Sequence, residues 1–408
     1  MNIPEEHRAL IDRIASENGF TDYEIITSSG SSKGDNFLGV LTAITIKDKE
    51  KSLDLILKSS HTNKGFREAA PIKEIYNREI FLYERVFKEF KKFQEEHNIE
   101  DPFDSVPKCY SSFTEEGLEC LVMENLKTQQ YELWDKKVPM NPGHIKAVLI
   151  EYAKFHAVSF AMKQKNPALF KELAEENGGN PFEEKYTKDK DKEEKFKSFL
   201  TTTLSNGYKV LKDDPVLTEK LKKYEEIVGP ELMSKLKGPE HKLVITHGDC
   251  WCNNFMFKYQ DPYNKTKPEG LRILDWQISS FGSPCADLSY FFLVNSPNEV
   301  LDDIQTYLKV YHDKLASQLR NFDLDPERLF PFSRLLDHLS LCLLPGLFLS
   351  FLVLKIMVTD KEDLPDHVEV VAESGDSFTM LSYEPKNFDE YAKRIKSIMQ
   401  FLVKNQYL

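Results

Sequence analysis

"HGDCWCNN", residues 247–254, is the stretch on which the reading of this chain turns. Two cysteines flank a tryptophan, so the first question is whether it is a thiol or metal site. Cys250 and Cys252 form a C-x-C pair. A structural zinc site needs four ligands, and no second C-x₂-C or H-x₃-H pair lies at usable spacing. Cys285 and His247 could be recruited, but nothing in the sequence favours it. The polar residues read better. His247, Asp249 and Asn254 follow H-x-D-x₄-N in a loop between two short strand-like segments, "KLVITHGD" (242–249) and "NFMFKY" (254–259). Some twenty residues on, "LRILDW" (271–276) carries Asp275 at its end. An aspartate, an asparagine five residues later and a second aspartate past a hairpin is what phosphoryl transfer to a hydroxyl requires. The first aspartate accepts or orients the hydroxyl proton. The asparagine and the second aspartate offer Mg²⁺ the few hard oxygen ligands it takes from protein.

Working outward, residues 24–59 read as strands. "YEIITS" (23–28), "LGVLTAITIK" (38–47) and "LDLILKS" (53–59) are short, β-rich and separated by turn-like segments. A helix is expected over 72–90, with an apolar stripe of Ile72, Ile75, Tyr76, Ile80, Tyr83, Val86, Phe87 and Phe90. "KCYSSF" (108–113) and "LECLVMEN" (118–125) flank Glu115-Glu116-Gly117 as a hairpin. After residue 126 the pattern is mainly helical. Asn141-Pro142 is a cap followed by a first-turn proline, and the helix it opens carries Ile145, Leu149, Tyr152, His156 and Phe160 on one face. Residues 182–198 are a mixed charge run, read as an exposed helix or loop. The expectation is an α+β, bilobal fold: residues 1–125 a small antiparallel-sheet lobe with one main helix, 126–408 a larger helical lobe.

Composition agrees. A chain of 408 residues with 41% apolar residues and 28 phenylalanines is too long for one compact core and supplies two. Its net charge of −12 argues against a nucleic-acid binder, which needs a basic face, while leaving room for a nucleotide, which needs only a few local cations. Six cysteines without a regular framework fit reduced thiols in the cytoplasm. The N-terminus lacks the basic and apolar regions of a secretory signal. "LSLCLLPGLFLSFLVL" (339–354) is shorter than a spanning helix, and Pro345-Gly346 is expected to interrupt it, so no membrane span is expected. No protein partner is evident.

A nucleotide phosphate also needs a cation, carried on the third strand and paired with a helix glutamate. Lys58 closes "LDLILK", and Glu79 falls beside the apolar stripe of the 72–90 helix. A carboxylate there is costly to bury unless a cation meets it, and Lys58 is the natural partner. "SSGSSKGDNFLG" (28–39) lies between the first two strands. Gly30, Gly34 and its serines let backbone N–H groups approach phosphate oxygens, although it is neither G-x-G-x-x-G nor a Walker A loop.

With "HGDCWCNNFMF" and "LDWQ" on the page, the chain resembles the aminoglycoside/choline-kinase branch of the protein-kinase-like superfamily, and within it the ecdysteroid kinase-like family, also described as CHK-kinase-like. The resemblance runs over roughly residues 25–400. It implies an ATP-dependent phosphotransferase using Mg²⁺, with Asp249 catalytic, Asn254 and Asp275 on the metal, and Lys58 paired with Glu79 at the phosphates. It makes the loop with Gly34, Asn36 and Phe37 a phosphate cover. It makes "LVMENL" (121–126) the interlobe hinge, where backbone groups around Glu124 and Leu126 meet adenine and Met123 lines the pocket. It makes His247 and His156 scaffolds of the catalytic loop and Asp287 its brace. Trp251 is expected to pack, with the border of the acceptor site as the alternative. The implied acceptor is a small-molecule alcohol, an ecdysteroid hydroxyl first. Choline or ethanolamine, and foreign hydroxylated compounds in detoxification, are the alternatives. A ligand-binding pseudokinase is the non-enzyme alternative, and the presence of Lys58, Asp249, Asn254 and Asp275 speaks for an enzyme.

Overall fold

The structure, a computed structural model, describes residues 3–30, 38–182, 190–228 and 243–408, with the side chains of 190–193, 195 and 196 excepted. Gly34, Asn36 and Phe37 therefore lie outside the described residues, as does the 183–189 part of the charge run.

The first lobe is a five-stranded antiparallel sheet in the order β1-β2-β3-β5-β4. Its strands are β1 (Glu24–Ser29), β2 (Gly39–Lys47), β3 (Ser52–Ser60), β4 (Cys109–Phe113) and β5 (Cys120–Glu124). The period of two sorts β3. Leu55 and Leu57 face a core shared with Ile44, Ile46 and Val122 and covered by Leu10, Ile11 and Ile14 of helix α1 (Glu5–Glu17). Lys58, next in line, is thereby turned to the opposite face. That face is covered by α2 (Lys64–Ala69) and α3 (Ile72–Phe81). The helical run expected over 72–90 extends to Glu96, but not as one regular helix: a π-helical turn, Leu82–Val86, joins α3 to α4 (Phe87–Glu96). The α1 helix was not foreseen either.

β5 ends at Glu124, and Asn125 caps a short 3₁₀ turn, Leu126–Gln129, by accepting the Lys127 N–H at 3.1 Å. The helical lobe opens with α5 (Pro142–Lys165), whose start is fixed by Asn141 accepting the His144 N–H at 3.1 Å. The predicted face of Ile145, Leu149, Tyr152, His156 and Phe160 is buried. Then follow α6 (Pro167–Asn177), α7 (Lys190–Leu211), α8 (Pro215–Ile227), α9 (Pro284–Asn295), α10 (Asn298–Asp302), α11 (Ile304–Asn321), α12 (Pro326–Leu329), α13 (Phe332–Val358), α14 (His367–Ser374) and α15 (Phe388–Lys404). Five short strands flank the 247–254 segment: β6 (Glu132–Leu133), β8 (Phe255–Lys258) and β9 (Gly270–Ile273) form one sheet, and β7 (Val244–Thr246) pairs with β10 (Ser280–Gly282).

Pro345-Gly346 does not break the apolar run. α13 is one helix of 27 residues with Pro345 inside it. The carbonyl that Pro345 leaves without a donor belongs to Leu341, which is 43% exposed and can be met by water. Gly346 lets α9 approach, since a Cβ there would lie 3.2 Å from Ser289 Oγ. This is the one helix among the described residues long and apolar enough to cross a membrane, and 67% of its most apolar window is buried inside the protein. α14 reaches back to the sheet lobe and packs on α2, where a Cβ on Gly65 would meet the Ala372 Cβ at 3.0 Å.

Candidate active site

The cleft is built from β3 and α3 on one side and the segments 247–254 and 274–279 on the other. Lys58 Nζ lies 2.7 Å from Glu79 Oε2 and 3.0 Å from Asp275 Oδ1, so one ammonium joins sheet, helix and the "LDWQ" turn. Glu79 also accepts the Trp276 N–H at 3.3 Å. Lys58 and Glu79 are both buried, 4% and 1% exposed, which a lone charge would not tolerate. Burial alone would lower the Lys58 ammonium's pKa, but the charges of Asp275 and Glu79 hold it above the usual lysine value. Burial pushes the Glu79 carboxyl up, against the pull of Lys58, and the Asp275 charge adds to the rise.

Asp275 has φ 61°, left-handed backbone that an aspartate tolerates better than most residues. Trp276 behind it is fully buried, with ring centroids 4.6 Å from His247, 4.9 Å from Phe87 and 4.9 Å from Phe155. Arg78 ties α3 of the sheet lobe to the same turn of the helical lobe, donating to the carbonyls of Ser279 (2.7 Å) and Gly179.

The loop at 247–254 is held from below. His247 Nε2 meets the Leu274 carbonyl at 2.8 Å and Nδ1 meets the Tyr152 hydroxyl at 2.8 Å. These partners occupy both ring nitrogens and hold the ring in place. Asp287 accepts the His247 N–H at 2.8 Å and the Gly248 N–H at 2.9 Å, and pairs with His156 Nε2 at 3.1 Å. Gly248 sits at φ 89°, and a Cβ there would run into the Ile278 carbonyl, so the loop and the 274–279 turn can touch only through a glycine.

Asp249 is half-buried, and its carboxylate accepts three hydrogen bonds. Tyr290 Oη donates to Oδ1 at 2.9 Å; Asn254 Nδ2 and Trp251 Nε1 donate to Oδ2 at 2.7 and 3.2 Å. Burial, then the charge of Asp275, push the Asp249 carboxyl above the usual aspartate value. Asn254 Nδ2 also donates to the Asp249 carbonyl at 3.0 Å, which leaves the amide oxygen as the atom that can meet a cation. That oxygen and the Asp275 carboxylate are hard donors, few in number, as Mg²⁺ prefers. Among the described residues no three His, Cys, Asp or Glu side chains converge as a ready metal cage. The charge balance also suits a divalent cation: Glu79, Asp275 and Asp249 face one lysine.

The thiols take no part in this. Cys250 Sγ rests 3.3 Å from Asp287 Oδ1, and burial pushes its pKa well up; burial lifts Cys252 to about 12. Neutral thiols at neutral pH are poor metal ligands.

At the hinge, the Glu124 N–H is committed to the Lys108 carbonyl at 3.0 Å, and its carboxylate to the Lys108 N–H (2.8 Å) and Gln129 Nε2 (2.7 Å). Any contact from Glu124 to a base therefore falls to its carbonyl. Met123 is 9% exposed at the inner end of β5, and Leu126 opens the 3₁₀ turn. Gly30 is fixed by its N–H to the Leu41 carbonyl (2.9 Å) and by Lys127 Nζ on its own carbonyl (3.0 Å).

Sequence reasoning missed Tyr290 as a partner of Asp249, Asn295, whose Nδ2 holds the Cys250 carbonyl at 2.8 Å, and Arg78. A signal for Tyr290 existed: it lies three residues after Asp287 on a helix, hence on the same face.

The sequence profile of the ecdysteroid kinase-like family matches residues 33–324. A stretch of 117 residues is 29% identical to the 4-hydroxytryptamine kinase of Psilocybe cyanescens, over 27% of this chain and 29% of that protein, so the match spans under a third of that relative's length. Among solved structures, the chain is similar to the GDP complex of wild-type aminoglycoside 2'-phosphotransferase-IIIa, with TM-score 0.42 and 12% identity over 98% of this chain and 99% of that one. It is also similar to a GDP and kanamycin complex of APH(2")-IIia, with TM-score 0.40 and 11% identity over 98% and 100%. The profile match extends over more than half of the 408 residues and takes in Lys58, Glu79, Asp249, Asn254 and Asp275: this chain belongs to the ecdysteroid kinase-like family.

Proposed function

We propose that this chain is a small-molecule kinase that moves the γ-phosphoryl group of ATP to an alcohol. The observation that carries the reading is the Lys58 ammonium held between Glu79 and Asp275 across the cleft from a carboxylate, Asp249, that is braced and raised in pKa. Lys58 holds the phosphates, and Glu79 keeps it in place. Asp249 accepts the proton of the acceptor hydroxyl as its oxygen attacks phosphorus. The Asn254 amide oxygen and Asp275 hold Mg²⁺, which supplies charge neutralisation at the phosphates when bound. Glu124, Leu126 and Met123 form the adenine end. Six cysteines without a disulfide support a reducing, cytoplasmic setting.

The acceptor we favour is a bulky, largely apolar alcohol of the ecdysteroid kind, in keeping with the family and the apolar helices of the larger lobe. A second reading, a hydroxylated aromatic amine, is suggested by the substrate in the name of the fungal relative. ATP consumption by purified protein, screened against ecdysteroids, 4-hydroxytryptamine, choline and aminoglycosides with mass spectrometry of products, decides. A phosphorylated ecdysteroid is the expected product. Preference for 4-hydroxytryptamine selects the second reading, and no ADP formation with any acceptor removes the kinase assignment.

A further inference from the structure

Helix α9 grips the catalytic loop at three successive points. Asp287 takes the backbone N–H groups of His247 and Gly248, Tyr290 reaches the Asp249 carboxylate, and Asn295 holds the Cys250 carbonyl. The first and last grips are on backbone. Only Tyr290 acts on the side chain that does the chemistry, and it is buried, 3% exposed, on a helix locked against α13.

The two oxygens of Asp249 are not equivalent. A carboxylate oxygen has two lone pairs in its plane. Oδ2 already receives Asn254 and Trp251, which saturates it. Oδ1 receives Tyr290 alone. We propose that Tyr290 is a positioning residue that makes Oδ1 the oxygen that takes the acceptor's proton, by occupying one of its lone pairs and leaving the other as the single place for the incoming hydroxyl. The inference rests on the proposed kinase reading and adds which oxygen acts and what aims it.

In the step, the acceptor oxygen forms its bond to the γ-phosphorus. The bond from that phosphorus to the β–γ bridging oxygen breaks, with the electron pair leaving on ADP. The acceptor's proton goes to Asp249 Oδ1 and later to solvent. The Tyr290 O–H stays intact throughout, donating to the same oxygen. Without it, the carboxylate keeps its two bonds on Oδ2 but can swing about them, and the hydroxyl finds two competing sites on Oδ1.

The test compares Tyr290→Phe, Trp251→Phe and Asp249→Asn for ADP formation with two acceptors, an ecdysteroid and 4-hydroxytryptamine, and for ADP–Mg²⁺ affinity. Tyr290→Phe should lose about 10- to 100-fold in kcat, the scale of a sub-ångström misplacement of a reacting group, at unchanged ADP affinity and Tm. Trp251→Phe, which relieves the saturated oxygen, should lose less. Wild-type kcat in Tyr290→Phe, an equal or larger loss in Trp251→Phe, or a Tyr290→Phe loss that follows nucleotide affinity overturns the inference. Should Tyr290→Phe fail to fold, fluorotyrosine placed at 290 keeps ring and hydroxyl and must keep turnover within a few-fold; its loss overturns the inference. Full activity in Asp249→Asn sinks the assignment of the base itself, and a wild-type chain that forms no ADP with either acceptor sinks both readings.

Discussion

Asp287 and Asp249 are the same residue type in the same lobe, and their environments drive them in opposite directions. Around Asp287 everything donates: two backbone N–H groups, His156, and the Cys250 thiol. Burial alone would raise its pKa, yet these partners hold it below the usual aspartate value. Asp249 has three donors of its own, but burial and the facing charge of Asp275 leave it raised. The buried carboxylate whose charge is fully answered acts as scaffold. The one that is buried with a second carboxylate, Asp275, opposite it is the one with reason to accept a proton or welcome a cation.

The contrast breaks most severely at the repelling pair. Asp275→Asn should abolish turnover while the protein stays folded, because asparagine accepts the left-handed backbone at 275. Excess EDTA should have the same effect on the wild type, and full activity under either condition would falsify the metal assignment. Asp249→Asn should cost about 10²- to 10⁴-fold in kcat, the usual contribution of a positioned base, with the acceptor still bound. Lys58→Met should follow at about 10²- to 10³-fold, the scale for removing one preorganised charge contact in a transition state. Near-normal turnover takes Lys58 out of the mechanism.

Asp287 should answer in stability. Asp287→Ala strands two loop N–H groups and His156, and breaking such a buried network costs about 3–5 kcal/mol, read as a fall in denaturant midpoint. The pH dependence has a definite sign. A carboxylate depressed in the folded state contributes stability that is present above its unfolded value, about 3.9, and lost as pH falls through the folded value. The Tm gap between wild type and Asp287→Asn should therefore be open at neutral pH and close below about pH 4. A gap independent of pH would mean that the carboxylate's charge does not matter there. The smallest effect belongs to Cys250→Ser with Cys252→Ser: turnover retained, and no stoichiometric zinc in the wild type.

The sheet lobe was legible because β2, β3 and the β4–β5 hairpin advertise themselves by β-branched runs between turn residues, and the Lys58–Glu79 contact because a glutamate beside an apolar stripe demands a cation. Tyr290 was hidden by its type. A tyrosine in "LSYFFL" reads as core, and only the placement of α9 under the loop gives its hydroxyl a target. Pro345 misled for the opposite reason, since local propensity forecasts a break that packing against α9 and the exposed position of Leu341 make tolerable. The grip of α14 on α2 joins residues some three hundred positions apart, beyond the reach of any local pattern.

The π-helical turn at Leu82–Val86 works as a phase adjuster. Upstream, Glu79 must face Lys58; downstream, Phe90 and Phe93 must face the core shared with Phe155 and Phe322. A regular helix carries each residue about 100° around its axis, so one side chain too many or too few between the two faces swings one of them to the wrong bearing. The widened turn absorbs that misfit. Deleting one residue within it should close the turn into a regular helix with Glu79 and the aromatic face both kept on their bearings. Adding one residue more leaves nothing to absorb it, and either the glutamate or the aromatic core is turned away.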